Sequence, residues 1–283
     1  MNASAVARPT RKRVAVAGTL AGVAALTLSA MAPAGATAAG HDATVKKPTI
    51  VLVHGAFADS SSWNGVIERL RKDGYPVVAP ANPLRGLKSD ADYVKSFLKS
   101  VEGPVVLAGH SYGGAVISEA ATGEPDVEAL VYIAAFAPEK GETALGLSNK
   151  YPGSTLGPTL NSVPFPLPGG GTGQDLYIKA DSFHQQFAAD VPTRVSDLMA
   201  ATQRPVAASA LEEPAAHAAW KDIPSWDLVT TQDLNIPAAA QRFMARRAHS
   251  HTTEIKASHA VTVSRPDAVG QVIEQAARAT AGH

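Results

Sequence analysis

Ser111 stands between Gly109 and Gly113 at the end of the apolar run Pro104-Val105-Val106-Leu107-Ala108, and a helix-like pattern follows from Tyr112 to Ala121. The spacing is that of a nucleophile elbow: a sharp strand-to-helix turn lifts the hydroxyl out of the sheet, and the glycines relieve crowding around it. A serine hydroxyl is a poor nucleophile until a neighbouring base takes its proton, so the chain must supply a histidine. His259 fits, because it falls directly after the last strand-like run and before the last helical one. His54 and His110 adjoin strand ends and read as structural, while His184, His217, His249 and His251 fall in an insertion or at helix ends. The imidazole must also be held in one tautomer by a carboxylate. Asp233 lies just past the run Trp226 to Thr230; Asp227 is the competitor inside that run, and Asp222 precedes it. The order serine, aspartate, histidine is the one expected of a strand-turn-helix nucleophile.

Charge that develops on a substrate oxygen needs preorganised donors, and backbone N–H groups at tight turns serve without rearranging. The elbow offers the Tyr112 amide. The turn His54-Gly55-Ala56-Phe57 after the first strand offers a second, at Ala56. Phe57, Trp63, Phe136 and Trp220, with Tyr132 and Phe183, are aromatic residues able to line an apolar acyl pocket. No metal site and no dinucleotide site are expected: His249-x-His251 lacks clustered partners, and the elbow is not a pyrophosphate fingerprint. No cofactor is called for.

These residues need a scaffold that brings strand ends to one edge. Thr49 to Val53, Val105 to Ala108 and Ala129 to Ala135 are continuous apolar runs, the mark of central parallel strands covered on both faces. Shorter strands are expected at Pro76 to Ala79, Trp226 to Thr230 and Thr252 to Ile255. Helices are expected from Asp59-Ser60-Ser61-Ser62 to about Lys72, from Ser89-Asp90 to about Val101, from Pro237 to about Arg247 and from Arg265 to about Thr280. Strands alternating with helices imply an α/β fold with six mainly parallel strands and helices on both faces. Ligands in such sheets sit at the carboxyl ends of the strands, where each residue named above falls.

Between 138 and 222 the alternation breaks, and Pro152, Pro158, Pro164, Pro166, Pro168 and Gly169 to Gly171 read as a loop. Helical stretches are expected at Ser182 to Asp190, Pro192 to Thr202 and Leu211 to Lys221. We read this segment as a small cap inserted above the sheet.

The 283 residues are 45% hydrophobic and 18% charged, enough apolar content for one large packed domain. Arg8, Arg11, Lys12 and Arg13 precede an Ala-rich apolar run from Val14 to about Met31, which predicts a signal peptide and cleavage region over 1–38, a short linker at 39–47 and the domain from 48 to 283. Cleavage after residue 36 removes four of the 25 basic residues and none of the 25 acidic ones, leaving a net charge of −4, so nucleic acid is not an expected partner. No other stretch is long and apolar enough to span a bilayer, and no stable membrane insertion is expected after cleavage. With no cysteine, disulfides and a thiol nucleophile are excluded. Oligomeric state has no signature in the sequence.

Together the residues resemble the α/β-hydrolase superfamily, and within it the branch of small esterases and hydroxynitrile lyases typified by plant methylesterases. The resemblance rests on LVHGAF at 52–57, GHSYGG at 109–114, TTQDLNIPAAAQRFM at 230–244 and SHAVTVSRPDAV at 258–269. It implies the α/β-hydrolase fold, and it places the triad acid on Asp233, ahead of Ile236-Pro237. The activity it implies is that of an exported serine carboxylesterase acting on small or aromatic esters through an acyl-enzyme. A lyase of this branch tends to carry threonine where Gly55 stands and lysine where Ala260 stands, so the resemblance disfavours cyanohydrin cleavage. A non-catalytic or slow ligand-binding member is the alternative from another class.

Overall fold

The computed structural model describes residues 47–280. The expected signal peptide, and the linker up to residue 46, lie outside the described residues. Strand β1 (Thr49–Val53) leads through a 3-10 turn at Ser60–Trp63 into α1 (Asn64–Lys72), with Asp59 accepting the Ser61 N–H as its cap. Next come β2 (Val77–Val78), α2 (Leu87–Leu98), β3 (Val105–His110), α3 (Tyr112–Ala120) and β4 (Val127–Ile133). An insertion then supplies α4 (Ala144–Ser148), α5 (Leu156–Thr159), β5 (Leu160–Pro166), β6 (Thr172–Ile178), α6 (Ala180–Phe187), α7 (Thr193–Thr202), β7 (Val206–Ala207) and α8 (Ala208–Glu212). The sheet resumes with β8 (Ser225–Thr230), α9 (Ala238–Arg247), β9 (His251–Ile255), α10 (Val261–Ser264) and α11 (Pro266–Thr280).

Six strands form one sheet in the order β2-β1-β3-β4-β8-β9, and every pair is parallel. Successive side chains of a strand point to opposite faces, and both faces are covered here. Val51 and Val53 of β1, with Leu107 of β3, join a core with α2, α3 and the insertion. Ile50, Leu52, Val106 and Ala108 join the opposite core, with α1 and α11. Helix α11 buries Val269, Val272, Ile273, Ala276 and Ala277, a stripe at helical spacing that lies against the sheet. Among the described residues no helix is long and apolar enough to cross a membrane.

Three local expectations are corrected. Helix α2 starts at Leu87 instead of Ser89: Asp90 is already inside it, fully buried, and its carboxylate accepts the Arg85 N–H at 3.0 and 3.1 Å. No single helix spans Leu211 to Lys221; Pro214 separates α8 from a 3-10 turn at Ala219–Lys221, because proline cannot donate into a helix interior. The proline-rich stretch is not a loop throughout. Pro164 and Pro166 belong to β5, which pairs antiparallel with β6, and β6 pairs with β7 in a separate three-stranded sheet. Proline is compatible with β5 because that strand is an edge.

Candidate active site

All strands of the main sheet run the same way, so the residues that follow them gather at one edge. Val53 aligns with Gly109, His110 with Ile133 and Thr230 with Ile255. Ser111 follows β3 with φ 54° and ψ −124°, an unfavourable conformation for a residue with a side chain. Its backbone is pinned there: Ser111 N–H donates to Ile133 O at 3.2 Å, and Ser111 O accepts from Gly114 at 3.0 Å and Phe136 at 3.1 Å. Gly113 makes the turn possible, since a Cβ there would lie 2.4 Å from Val53 O.

His259 sits between β9 and α10, 1% exposed. Its Nε2 lies 2.8 Å from Ser111 Oγ and its Nδ1 2.7 Å from Asp233 Oδ2. A carboxylate at Nδ1 keeps the proton on that nitrogen, leaving the Nε2 lone pair facing the serine hydroxyl. The loop itself is tied down: Ala260 N–H donates to Phe187 O at 2.9 Å, and His110 Nε2–H donates to His259 O at 2.8 Å. Burial, reinforced by the neighbouring His259, pushes His110 down to about 3, so this ring stays neutral.

Asp233 is held more firmly still. Its Oδ1 accepts the Asn235 and Ile236 amides at 2.8 and 2.9 Å; Oδ2 accepts Thr230 Oγ1 and Gln241 Nε2, both at 3.0 Å. Asp227, the competing carboxylate, is not brought to His259. It lies inside β8, opposite Tyr132 and Thr252 in register, and its Oδ2 is buried without a partner among the described residues. Burial raises its pKa well above the ordinary carboxylate range, opposed by a Ser250 hydrogen bond.

Ala56 and Tyr112 line the same cavity as Ser111, and their amides donate to no acceptor among the described residues. Phe57 N–H is engaged instead, with Arg204 O at 3.0 Å. His54 braces the Ala56 turn: its Nδ1 bonds Gly55 O at 2.9 Å, its Nε2 accepts Asn82 N–H at 2.9 Å, and Asn82 Nδ2 returns a bond to His54 O at 3.0 Å. Burial lowers the His54 pKa and keeps it neutral. Tyr112 is anchored from behind, its hydroxyl donating to Asp90 Oδ2 at 2.9 Å.

The cavity above Ser111 has a volume of about 140 Å³ and mostly apolar walls. Of the expected lining residues, Phe57 and Phe136 are there. Trp63 and Trp220 are corrections. Trp63 is fully buried in the core on the α1 side, edge-on to His110. Trp220 donates its indole N–H to Pro138 O at 2.9 Å and lies under the Arg247 guanidinium, away from the cavity. Tyr132 and Phe183 are likewise core residues, bonded to Ser118 Oγ and packed on Phe187 respectively. Sequence reasoning missed Leu156, Leu160, Leu176 and Leu211, which the insertion contributes to the wall. It also missed Phe187, whose ring meets His259 edge-on at 5.0 Å. Leucines in a segment of unknown pairing carried no signal of which way they face. Among the described residues no cluster of His, Asp and Glu could hold a metal ion.

A six-stranded parallel sheet carrying a serine on its central elbow, with histidine and aspartate on later loops, defines an α/β hydrolase. The chain belongs to the alpha/beta hydrolase family, whose model matches residues 50–272. It is similar to the alpha/beta hydrolase nvfD of Aspergillus novofumigatus, 28% identical over 252 residues that cover 82% of this chain and 97% of that one. A pyrethroid hydrolase of Sphingobium wenxiniae is 27% identical over 262 residues, covering 82% and 88% of the two chains. Among solved structures, polyneuridine aldehyde esterase superimposes with a TM-score of 0.71 at 17% identity, covering 81% of this chain and 98% of its own, a likeness of fold. The relatives are hydrolases, and this chain shares their architecture from end to end of the matched region.

Proposed function

We propose that this chain is a serine carboxylesterase acting on small, largely apolar esters. The observation that carries the reading is the unbroken chain Asp233 Oδ2, His259 Nδ1, His259 Nε2, Ser111 Oγ, with links of 2.7 and 2.8 Å, beside two unengaged amides. Ser111 Oγ attacks the ester carbonyl while His259 Nε2 takes its proton; the oxyanion is held by the Ala56 and Tyr112 amides. Collapse expels the alcohol, which receives that proton from His259. Water, activated by the same imidazole, then releases the carboxylate and restores the serine. A pyrethroid hydrolase and an esterase among the similar proteins support ester chemistry.

The lyase alternative fits less well. Ala260 places no ammonium beside His259, and a Cβ at Gly55 would lie 2.6 Å from Ser111 Cβ, so threonine has no room there. Export is part of the proposal and rests on the basic cluster at 8–13 followed by the apolar run. The test is mass-spectrometric mapping of a fluorophosphonate probe beside turnover of p-nitrophenyl esters. Labelling at Ser111 together with hydrolysis is the expected result; folded protein that neither labels nor turns over overturns the reading.

A further inference from the structure

Asn235 lies in the turn between β8 and α9, two residues beyond Asp233, and lines the cavity above Ser111. Its carboxamide cannot flip. The carbonyl of Leu234 can only accept, so the Gln186 atom 2.9 Å from it must be the amide nitrogen. The same Nε2 reaches Asn235 at 2.7 Å, which requires the Asn235 oxygen on that side. Thr155 Oγ1 donates to Gln186 Oε1 at 2.8 Å, and Ser148 Oγ donates to Asn235 O at 2.8 Å, closing the frame. The NH₂ end of Asn235 is therefore turned away from Gln186.

That Nδ2 has no acceptor among the described residues. Unlike His110 Nδ1 and Trp63 Nε1, which are sealed and unpartnered among the described residues, it belongs to a residue of the cavity wall, although Asn235 as a whole is only 3% exposed. The remaining polar lining is of another kind. Asn149 and Glu212 are exposed at the rim, the Ser148 hydroxyl is spent on Asn235 O, and the Ser154 hydroxyl can rotate to suit its surroundings. The rest of the insertion's wall is mainly leucine. A fixed donor in such a wall loses its water to any hydrocarbon that fills the cavity, and regains a partner only if the ligand brings an acceptor.

We propose that Asn235 is a specificity-determining residue whose Nδ2–H donates to a neutral oxygen, carbonyl or ether, in the part of the ester remote from the reacting carbonyl. The substrate class is thereby an uncharged, mainly apolar ester carrying one such acceptor. This rests on the esterase reading, and the experiment separates the two. The probes are p-nitrophenyl hexanoate and its isosteres with one chain methylene replaced by an ether oxygen at successive positions. For each, kcat/KM is divided by the rate of uncatalysed alkaline hydrolysis, and the ether-to-hydrocarbon ratio is measured for wild type, Asn235→Leu and Asn235→Asp. At the position Nδ2 reaches, the wild-type ratio exceeds that of Asn235→Leu by about 3- to 10-fold, the span of one neutral hydrogen bond. Asn235→Asp, which turns an acceptor toward an acceptor, falls at least as low.

A merely structural role lowers both substrates together and leaves the ratio unmoved, which overturns the proposal. Hydrolysis of hexanoate with no ether isostere favoured by wild type also overturns it, and needs no variant to fold. Failure of wild type to hydrolyse any ester is the outcome that removes the esterase reading itself.

Discussion

The cavity has a floor made by loops of the parallel sheet, to which helix α6 of the insertion is bound, and a roof to which the insertion's β5–β6 ribbon contributes, and floor and ribbon are secured by different means. On the floor, Asp233 accepts four hydrogen bonds besides that of His259, all buried, and His110 and Phe187 hold the His259 loop from behind. The ribbon's outer strand, β5, is mostly exposed. Arg85 latches this ribbon: it pairs with Asp175 of β6 at 2.7 Å, covers the Phe165 ring of β5 at 5.0 Å and donates to Pro205 O at 3.0 Å. Leu84 O and Phe57 N–H add backbone bonds to Ala207 and Arg204. Proton transfer tolerates errors of a few tenths of an ångström, and the buried network supplies that constancy. Choice of substrate needs only a wall of the right shape, and partly exposed latches allow that wall to change without disturbing the chemistry.

The contrast is broken most severely from the floor. Asp233→Asn cannot stabilise the Nδ1–H tautomer or the imidazolium, and turnover of p-nitrophenyl butyrate should fall about 10⁴-fold, as it does in serine proteases; the melting temperature should fall as well, because the new NH₂ faces buried donors on either side. A folded variant that kept most of its activity would transfer the role to another carboxylate.

Asp227, inside β8, is the exception, a buried carboxyl whose second oxygen has no partner among the described residues. Burial raises its folded-state pKa above the unfolded value, so at rising pH the unfolded chain ionises first while the native state still holds its proton. Native stability from this group is intact below the ordinary carboxylate range and declines as pH climbs toward the raised value. Asp227→Asn removes that dependence. Its melting temperature should match wild type near pH 4 and exceed it at pH 8, by roughly 2–4 °C for each kcal/mol recovered. A difference independent of pH would refute the assignment.

The mildest change comes from the roof. Arg85→Ala removes a latch whose side chain is 37% exposed, so its ion pair is worth only about 1 kcal/mol or less. We expect KM for long-chain esters to rise a few-fold while the labelling rate of Ser111 by a small fluorophosphonate stays within about twofold. Equal losses in both would show that roof and floor are one unit.

The same division governs what could be read in advance. The six-stranded sheet was legible because β1, β3 and β4 are largely uninterrupted apolar runs, and because the shorter or more polar β2, β8 and β9 are each set off by turn and helix patterns. Ser111, Asp233 and His259 were legible because each follows a strand whose carboxyl end must face the common edge. The roof was not. Pairing of β5 with β6 and of β6 with β7 joins segments whose sequence shows proline and glycine, not alternation, and a register set by partners elsewhere leaves no local trace. Trp63 and Trp220 were misplaced for a related reason: aromatic character marks burial, whereas facing a cavity or a core is decided by the turn that carries the side chain.

The prolines of β5 have an effect outside the monomer. Pro164 and Pro166 are two residues apart and so share one orientation in the ladder, with their missing N–H groups on the side away from β6. A second molecule approaching that margin finds no donors at two successive positions, and the hairpin cannot extend into an intermolecular β-ribbon. This blunted margin works against edge-to-edge pairing of copies through β5.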